Sequence, residues 1–411
     1  MRPGLGRALS SVGKFGRNAR LMLASAAVSG LTQGAYFSVW QLYLKSAGYG
    51  TTWIGTYALI GTVVATLLKL PAGLVADRFR RKWLTAISFA AAALSGAIVA
   101  YSVSEVALVV SAVIGGVGWG IGGPAWSALF AESVEDAGMD LGFSVSAFVS
   151  SAATSLGNLM GWIPEFLVRS LGLGYFEAYR WFMWLVVAIE ASSILPIILV
   201  SERFRPRARG SGGLMKLGMS SKRLISAVVV TYSLIGFGAG LSIPLLGYYF
   251  SVKFGIESGP IGTLFAVTNV AAAPAFLLAA GVSARLGTVR GAAALQAASI
   301  PLLALIPLAP SFAAASALYI PRSVLMNMAN PLISALVMEL TPEAERGTMA
   351  SISQLSWNLP NSVAQQIGGF VMDTLSLDAP LYATSGIYAI YVTAFYLMFG
   401  GLERERGSGG E

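Results

Sequence analysis

The sequence predicts an all-α membrane protein of twelve transmembrane helices, built as two six-helix halves in parallel repeat. Three observations predict it. The chain is 55% hydrophobic and only 11% charged over 411 residues, too little charge to cover a soluble surface of that size. Its apolar residues fall into twelve segments of about 20 residues or more, the length needed to cross ~30 Å of hydrocarbon as helix. Its basic residues sit mostly between those segments, on one side. Backbone groups in lipid must be satisfied internally, and no alternating β-barrel pattern is present, so the spans are expected to be helices.

The elements follow in order. Residues 1–20 hold five basic residues and lead into span 1, 21–44. A basic opening before an apolar run imitates a signal peptide, but further apolar segments follow at once, so an uncleaved first span is expected. Spans 2 (52–76) and 3 (83–103) flank a six-residue segment with four basic residues, and spans 4 (106–130) and 5 (142–168) flank one with none. Span 6 (179–200) is followed by the polar, Gly/Ser-rich stretch 201–222, read as a linker on the inner side. The second half carries spans 7 (223–250), 8 (258–282), 9 (289–309), 10 (311–338), 11 (348–372) and 12 (380–401). The expected domains are therefore 1–200, the linker 201–222, and 223–411. With the N-terminus inside, 21 basic residues fall on the inner segments and four on the outer ones: Lys45, Arg169, Arg180 and Lys253. That asymmetry places both termini in the cytoplasm of a cell-membrane protein. It also explains the net charge of +8 without nucleic acid as a partner.

The halves repeat. A shift of about 207 residues sets "GPAWSALFAES" (123–133) on "NPLISALVMEL" (330–340), pairing Pro124 with Pro331 and Glu132 with Glu339. The same shift pairs Gly55 with Gly262 and Gly48 with Gly255. A shift of 208 sets "GLVADRFRRK" (73–82) on "GVSARLGTVR" (281–290). Six spans is an even number, so both halves enter from the same side and the duplication is parallel.

Twelve spans, a six-plus-six duplication and the 73–82 segment together resemble the major facilitator superfamily of transporters. Its loop motif, G-x-x-x-D-R-x-G-R-K, stands here as Gly73, Asp77, Arg78, Arg81 and Lys82, with Arg80 where glycine is usual. The resemblance implies the superfamily's fold and a conformational latch in which Asp77 pairs across the inner face, with Arg81 and Glu132 in the cluster and Glu339 and Arg346 as the second-half equivalent. The Gly-Pro-x-x-Gly-Gly run of many antiporters is absent from span 5. That span has "SLGNLMGWIPEF" (155–166) instead, whose Gly157 and Gly161 can support close helix packing.

Ionisable groups deep in spans are costly and become functional candidates. Arg322 lies ~16 Å into span 10, where it could hold an anionic substrate or pair with an internal acid. Glu190 lies ~17 Å into span 6 and is the candidate for proton coupling. Lys69 can snorkel, and Glu165 and Asp373, near outer span ends, are expected to be solvated. Neutral candidates for substrate binding are Gln33, Tyr36 and Trp40 on one face of span 1, Asn327 in span 10, and Gln354, Trp357, Asn358 and Asn361 in span 11, a face interrupted by Pro360.

With no cysteine and no histidine, thiol chemistry is excluded and the commonest metal ligand and neutral-pH proton shuttle are missing. No metal or other cofactor is expected, although a proton or other ion gradient can supply energy. An enzyme would want an inward cluster of His, Cys or paired acids. The expected function is secondary active transport of a small solute by alternating access, favoured as proton-coupled efflux of an organic compound. Uptake symport or uniport is the alternative, and a membrane-embedded sensor or enzyme ranks lower. The expected partners are the small-molecule substrate and the lipid bilayer, with the protein as a monomer.

Overall fold

A computed structural model describes residues 15–76, 79–134, 138–202 and 222–408. Every regular element among these residues is helical. The helices are α1 (Arg17–Ser46), α2 (Thr51–Ala76), α3 (Arg81–Tyr101), α4 (Glu105–Val134), α5 (Met139–Leu159), α6 (Trp162–Leu171), α7 (Tyr175–Ser192) and α8 (Ile194–Leu199). The second half has α9 (Lys222–Ser242), α10 (Leu246–Phe254), α11 (Ser258–Leu286), α12 (Thr288–Leu305), α13 (Phe312–Leu340), α14 (Arg346–Thr374) and α15 (Ala379–Ser408).

These helices fill the twelve predicted spans. Span 5 is α5 plus α6, span 6 is α7 plus α8, and span 7 is α9 plus α10, joined by a short 3-10 turn at Ile243–Leu245 that contains Pro244. Among the described residues, eight of the rods are long and apolar enough to cross a membrane by length and composition alone. Pro360 does not interrupt its span: α14 runs unbroken from Arg346 to Thr374. Prolines 124, 274, 321 and 331 likewise sit inside continuous helices, as transmembrane helices tolerate when neighbouring groups re-satisfy the freed carbonyls.

Backbone contacts divide the chain into two compact units. Unit 1 takes Met1–Gly48, Ile60–Gly210 and Glu257–Ala266, and unit 2 takes Tyr49–Leu59, Ser211–Ile256 and Val267–Glu411. The division follows the two sequence halves except at two helix starts. The first turns of α2 belong to unit 2, and those of α11 belong to unit 1.

The two units repeat one packing pattern. In unit 1, α1 packs on α5, α3 on α4, and α7 on both α1 and α3. In unit 2, α9 packs on α14, α12 on α13, and α15 on both α9 and α12. Small residues make the closest pairings possible. A Cβ on Gly30 of α1 would sit 2.6 Å from the Ser150 carbonyl oxygen of α5, and one on Gly236 of α9 would sit 2.6 Å from the Trp357 carbonyl oxygen of α14. Lipid tails offer no hydrophobic drive between helices, so such close backbone approach supplies the dispersion energy instead. Each unit also has its own apolar core: Met22, Leu129, Phe130 and Ile197 in unit 1, and Val228, Leu336, Phe395 and Phe399 in unit 2. The repeat extends to chain reversals. Gly48 (φ 88°) and Gly255 (φ 65°) both adopt the left-handed region just past a helix end, where a side chain would be strained.

Candidate functional site

In unit 1 the deep acid has a partner the sequence did not suggest. Glu190 of α7 accepts a hydrogen bond from the Thr32 hydroxyl of α1. That hydroxyl also lies 3.2 Å from the Val28 carbonyl and 3.1 Å from the Ser29 carbonyl. A hydroxyl donates one proton and accepts on two lone pairs. Thr32 can therefore donate to an ionised Glu190, or accept from a protonated one while donating to its own helix. Both charge states of the acid find a partner. On the same helix, Tyr36 and Trp40 stack with ring centroids 4.9 Å apart and an 18° interplanar angle. Trp40 is buried, Tyr36 half-buried and Gln33 exposed.

In unit 2, Arg322 of α13 is 4% exposed. One terminal nitrogen donates to the Tyr388 hydroxyl of α15 at 3.2 Å, and the guanidinium lies 5.5 Å from the centre of that ring. Among the described residues Arg322 makes no ion pair, and its Nε has no hydrogen-bond partner. Asn327, half-buried, donates to Ser323 at 3.3 Å and accepts from Asn330 at 3.4 Å. On α14, Asn361 donates to the Gly236 carbonyl at 3.0 Å, so it ties α14 to α9. Asn358 is half-buried, and Gln354 and Trp357 are exposed.

The motif segment is partly described. Asp77 and Arg78 lie outside the described residues, and Gly73 falls within α2. Arg81 and Glu132 form an ion pair. A further acid joins them: Glu202 accepts from the backbone N–H groups of Arg81 at 2.9 Å and Lys82 at 3.3 Å, capping the start of α3. Lys82 also donates to the Val200 carbonyl at 3.1 Å. In the second half, Arg346 donates to the Met338 carbonyl at 3.2 Å, and Glu339 is exposed.

Of the two acids expected to be solvated, Glu165 is buried instead, whereas Asp373 is exposed as expected; both also anchor a helix start. Asp373, at the end of α14, accepts four hydrogen bonds from the start of α2. They come from the Thr51 N–H (2.9 Å) and hydroxyl (2.7 Å) and from the Thr52 N–H (2.7 Å) and hydroxyl (2.6 Å). Burial pushes its carboxyl up, but the bonds from Thr52 and Thr51 outweigh that and hold it below the usual aspartate range. Glu165 of α6 is 6% exposed and accepts from the Gly259 N–H of α11 at 2.8 Å. Ser258 donates to the Gly161 carbonyl at 2.7 Å, and the Trp162 indole donates to Thr263 at 2.9 Å. Both acids meet free N–H groups of a helix start, where negative charge is favoured. In unit 2, Asp378 also gathers Lys253 and the Tyr249 hydroxyl, each at 2.6 Å. None of these partners is near in sequence, so no local signal marks them.

Two units of repeated helix pairing, each with a deep charge, describe a duplicated membrane bundle. The family model for the major facilitator superfamily matches residues 21–364 and 228–410. The chain belongs to the major facilitator superfamily. The fold is that superfamily's twelve-helix fold, in an integral membrane protein of a transporter family rather than an enzyme. Solved structures agree. A mutant of the nucleoside transporter NupG matches with a TM-score of 0.78 at 13% identity, covering 93% of this chain and 100% of the other. A bacterial homologue of the iron transporter ferroportin, in an inward-facing state, matches at 0.72 and 17% identity, covering 93% and 98%. A D-xylose-proton symporter matches at 0.66 and 17% identity, covering 92% and 96%. No curated protein sequence matches this superfamily member.

Proposed function

We propose that this transporter moves a small organic solute by alternating access, coupled to protons and in the direction of efflux. The observation that carries the coupling is the Glu190–Thr32 pair. An acid deep in a span whose partner serves either charge state can take up and release a proton without leaving an unsatisfied group behind. Tyr36, Trp40 and Gln33 in unit 1, and Arg322, Asn327, Gln354, Trp357, Asn358 and Asn361 in unit 2, are proposed to contact solute. Asp77, Arg78, Arg81, Lys82 and Glu132 would form the inner latch with Gly73, and Glu339 and Arg346 its second-half counterpart. The basic-residue asymmetry supports a cell-membrane protein with both termini in the cytoplasm.

Transport into proteoliposomes across a ligand panel, with and without a pH gradient, tests the reading. A gradient acid inside should drive solute accumulation, because in antiport protons leave as solute enters. Glu190→Gln should retain exchange of solute down its own gradient while losing the response to pH. Equal transport with the gradient collapsed, in wild type, would identify a uniporter, and accumulation driven by a gradient acid outside would identify an uptake symporter.

A further inference from the structure

Among the described residues, the buried cation of unit 2, Arg322, has no counter-charge. A guanidinium cannot relieve burial by losing its proton as a lysine can. Arg322 is 4% exposed. Its compensation among the described residues is a neutral phenol at 3.2 Å and the face of the same ring, and its Nε is left without any acceptor. A ring quadrupole and one neutral hydrogen bond recover only part of the cost of burying a charge. An orphaned donor on a buried cation adds to the deficit.

Among the described residues, the surroundings supply hydroxyls rather than acids. Tyr388 is 2% exposed, Tyr319 7% and Ser323 7%. Tyr319 stands one turn before Arg322 on α13, and Ser323 directly follows it. Ser323 already accepts from Asn327. A cation with a free N–H edge, set among hydroxyls that can each donate, is the chemistry of an anion site.

We propose that the Nε edge of Arg322 is the docking point for a monoanion, held by the guanidinium and by the Tyr388 hydroxyl turned to donate. The anion is either a carboxylate or phosphate carried by the transported solute or a free inorganic ion. The solute arm rests on the transport reading above, whereas the inorganic arm does not. The site lies within unit 2, which supplies every side chain it uses.

The test is thermal unfolding of the purified full-length protein in lipid nanodiscs. The probes are chloride, inorganic phosphate and benzoate, with benzamide as the neutral counterpart of benzoate. At least one anion should raise the wild-type midpoint, and benzamide should not. Arg322→Gln should weaken that anion ~30-fold or more, as expected when one partner of a buried charge pair is truncated. Arg322→Lys keeps the charge but loses the fork, and should keep part of the response. Tyr388→Phe should weaken it less than Arg322→Gln. A response to chloride alone assigns a free ion. A response to benzoate or phosphate that also competes with transport assigns the solute's own anionic group. The proposal is overturned if no anion stabilises the wild type more than benzamide does. An equal response in Arg322→Gln, or, should that variant not fold, in Arg322→Lys, overturns it as well. Solute transport that persists beside a flat anion response would sink the anion site and leave the transporter standing.

Discussion

The starts of α2 and α11 occupy matching places in the internal repeat, and each is held by a carboxylate, yet they are held by different means. Thr51 and Ser258 are 207 residues apart, and Asp373 and Glu165 are 208 apart. At α2, one exposed aspartate takes two backbone N–H groups and two hydroxyls. At α11, a buried glutamate takes one N–H, and the rest of the attachment runs through Ser258 to a carbonyl and through Trp162 to Thr263. Glycines permit both approaches. A Cβ on Gly369 would clash with the Thr51 carbonyl, and one on Gly161 would lie 2.6 Å from the Ser258 carbonyl. The duplication has conserved the place and the principle, a negative group on a helix start, and divided the energy differently. One side concentrates it in a single ionised group. The other spreads it over neutral contacts and packing.

The largest effect should come from breaking the shared feature. Gly369→Leu forces a side chain against the α2 backbone, an overpacking that costs about 3 kcal/mol. Hydrogen exchange at the first amides of α2 should then rise ~100-fold, while the α11 start keeps its protection. Gly161→Leu should give the mirror result. Unchanged exchange at both starts would show that the glycines are incidental.

Asp373→Asn comes next. The amide offers one acceptor oxygen and turns an NH2 toward the Thr52 donors, so about 2 kcal/mol of the α2 anchorage is lost. Exchange there should rise ~30-fold. Glu165→Gln should cost less than ~1 kcal/mol, because a neutral carbonyl still accepts from the single Gly259 N–H. Comparable losses in the two variants would erase the distinction between a charged cap and a distributed one.

The smallest effect in the physiological range is that of pH. The Asp373 carboxyl is held below its ordinary value of 3.8 in the folded protein. A group with a depressed folded value contributes stability that is complete above its unfolded value and lost as pH falls through the folded one. Protection at the α2 start, taken relative to the unstructured amide at each pH, should therefore be flat from neutral pH down into the usual carboxylate range and fall only below it. Asp373→Asn should abolish that acid step. A step near neutrality in the wild type would contradict the assignment.

Much of the fold is legible in one dimension. Span length, the run of basic residues and the 207-residue shift are local or periodic properties of a chain dissolved in lipid, and they place all twelve rods. The candidate site is less legible. Depth along a span singles out Arg322 and Glu190, because rise per residue is fixed. Their partners Tyr388 and Thr32 lie on other helices, and nothing in the spacing of either helix names them. Glu165 misleads for the same reason: an acid near a span end reads as solvated until a distant helix start is brought against it, and the anchoring role of the exposed Asp373 is hidden in the same way. Pro360 misleads in a different way, since proline interrupts an isolated helix but sits within α14, where neighbouring groups can satisfy what it frees.

The sequence by itself determined the class, the number of spans, the duplication and the depth of the two buried charges. Those follow from hydropathy and helix geometry, which act on each segment separately. Only the tertiary structure decided which acids are anchors and which buried cation lacks a counter-charge among the described residues. Hydrogen bonds and desolvation depend on what stands within about 3 Å of a group, and in this chain those neighbours come from helices up to 322 residues away.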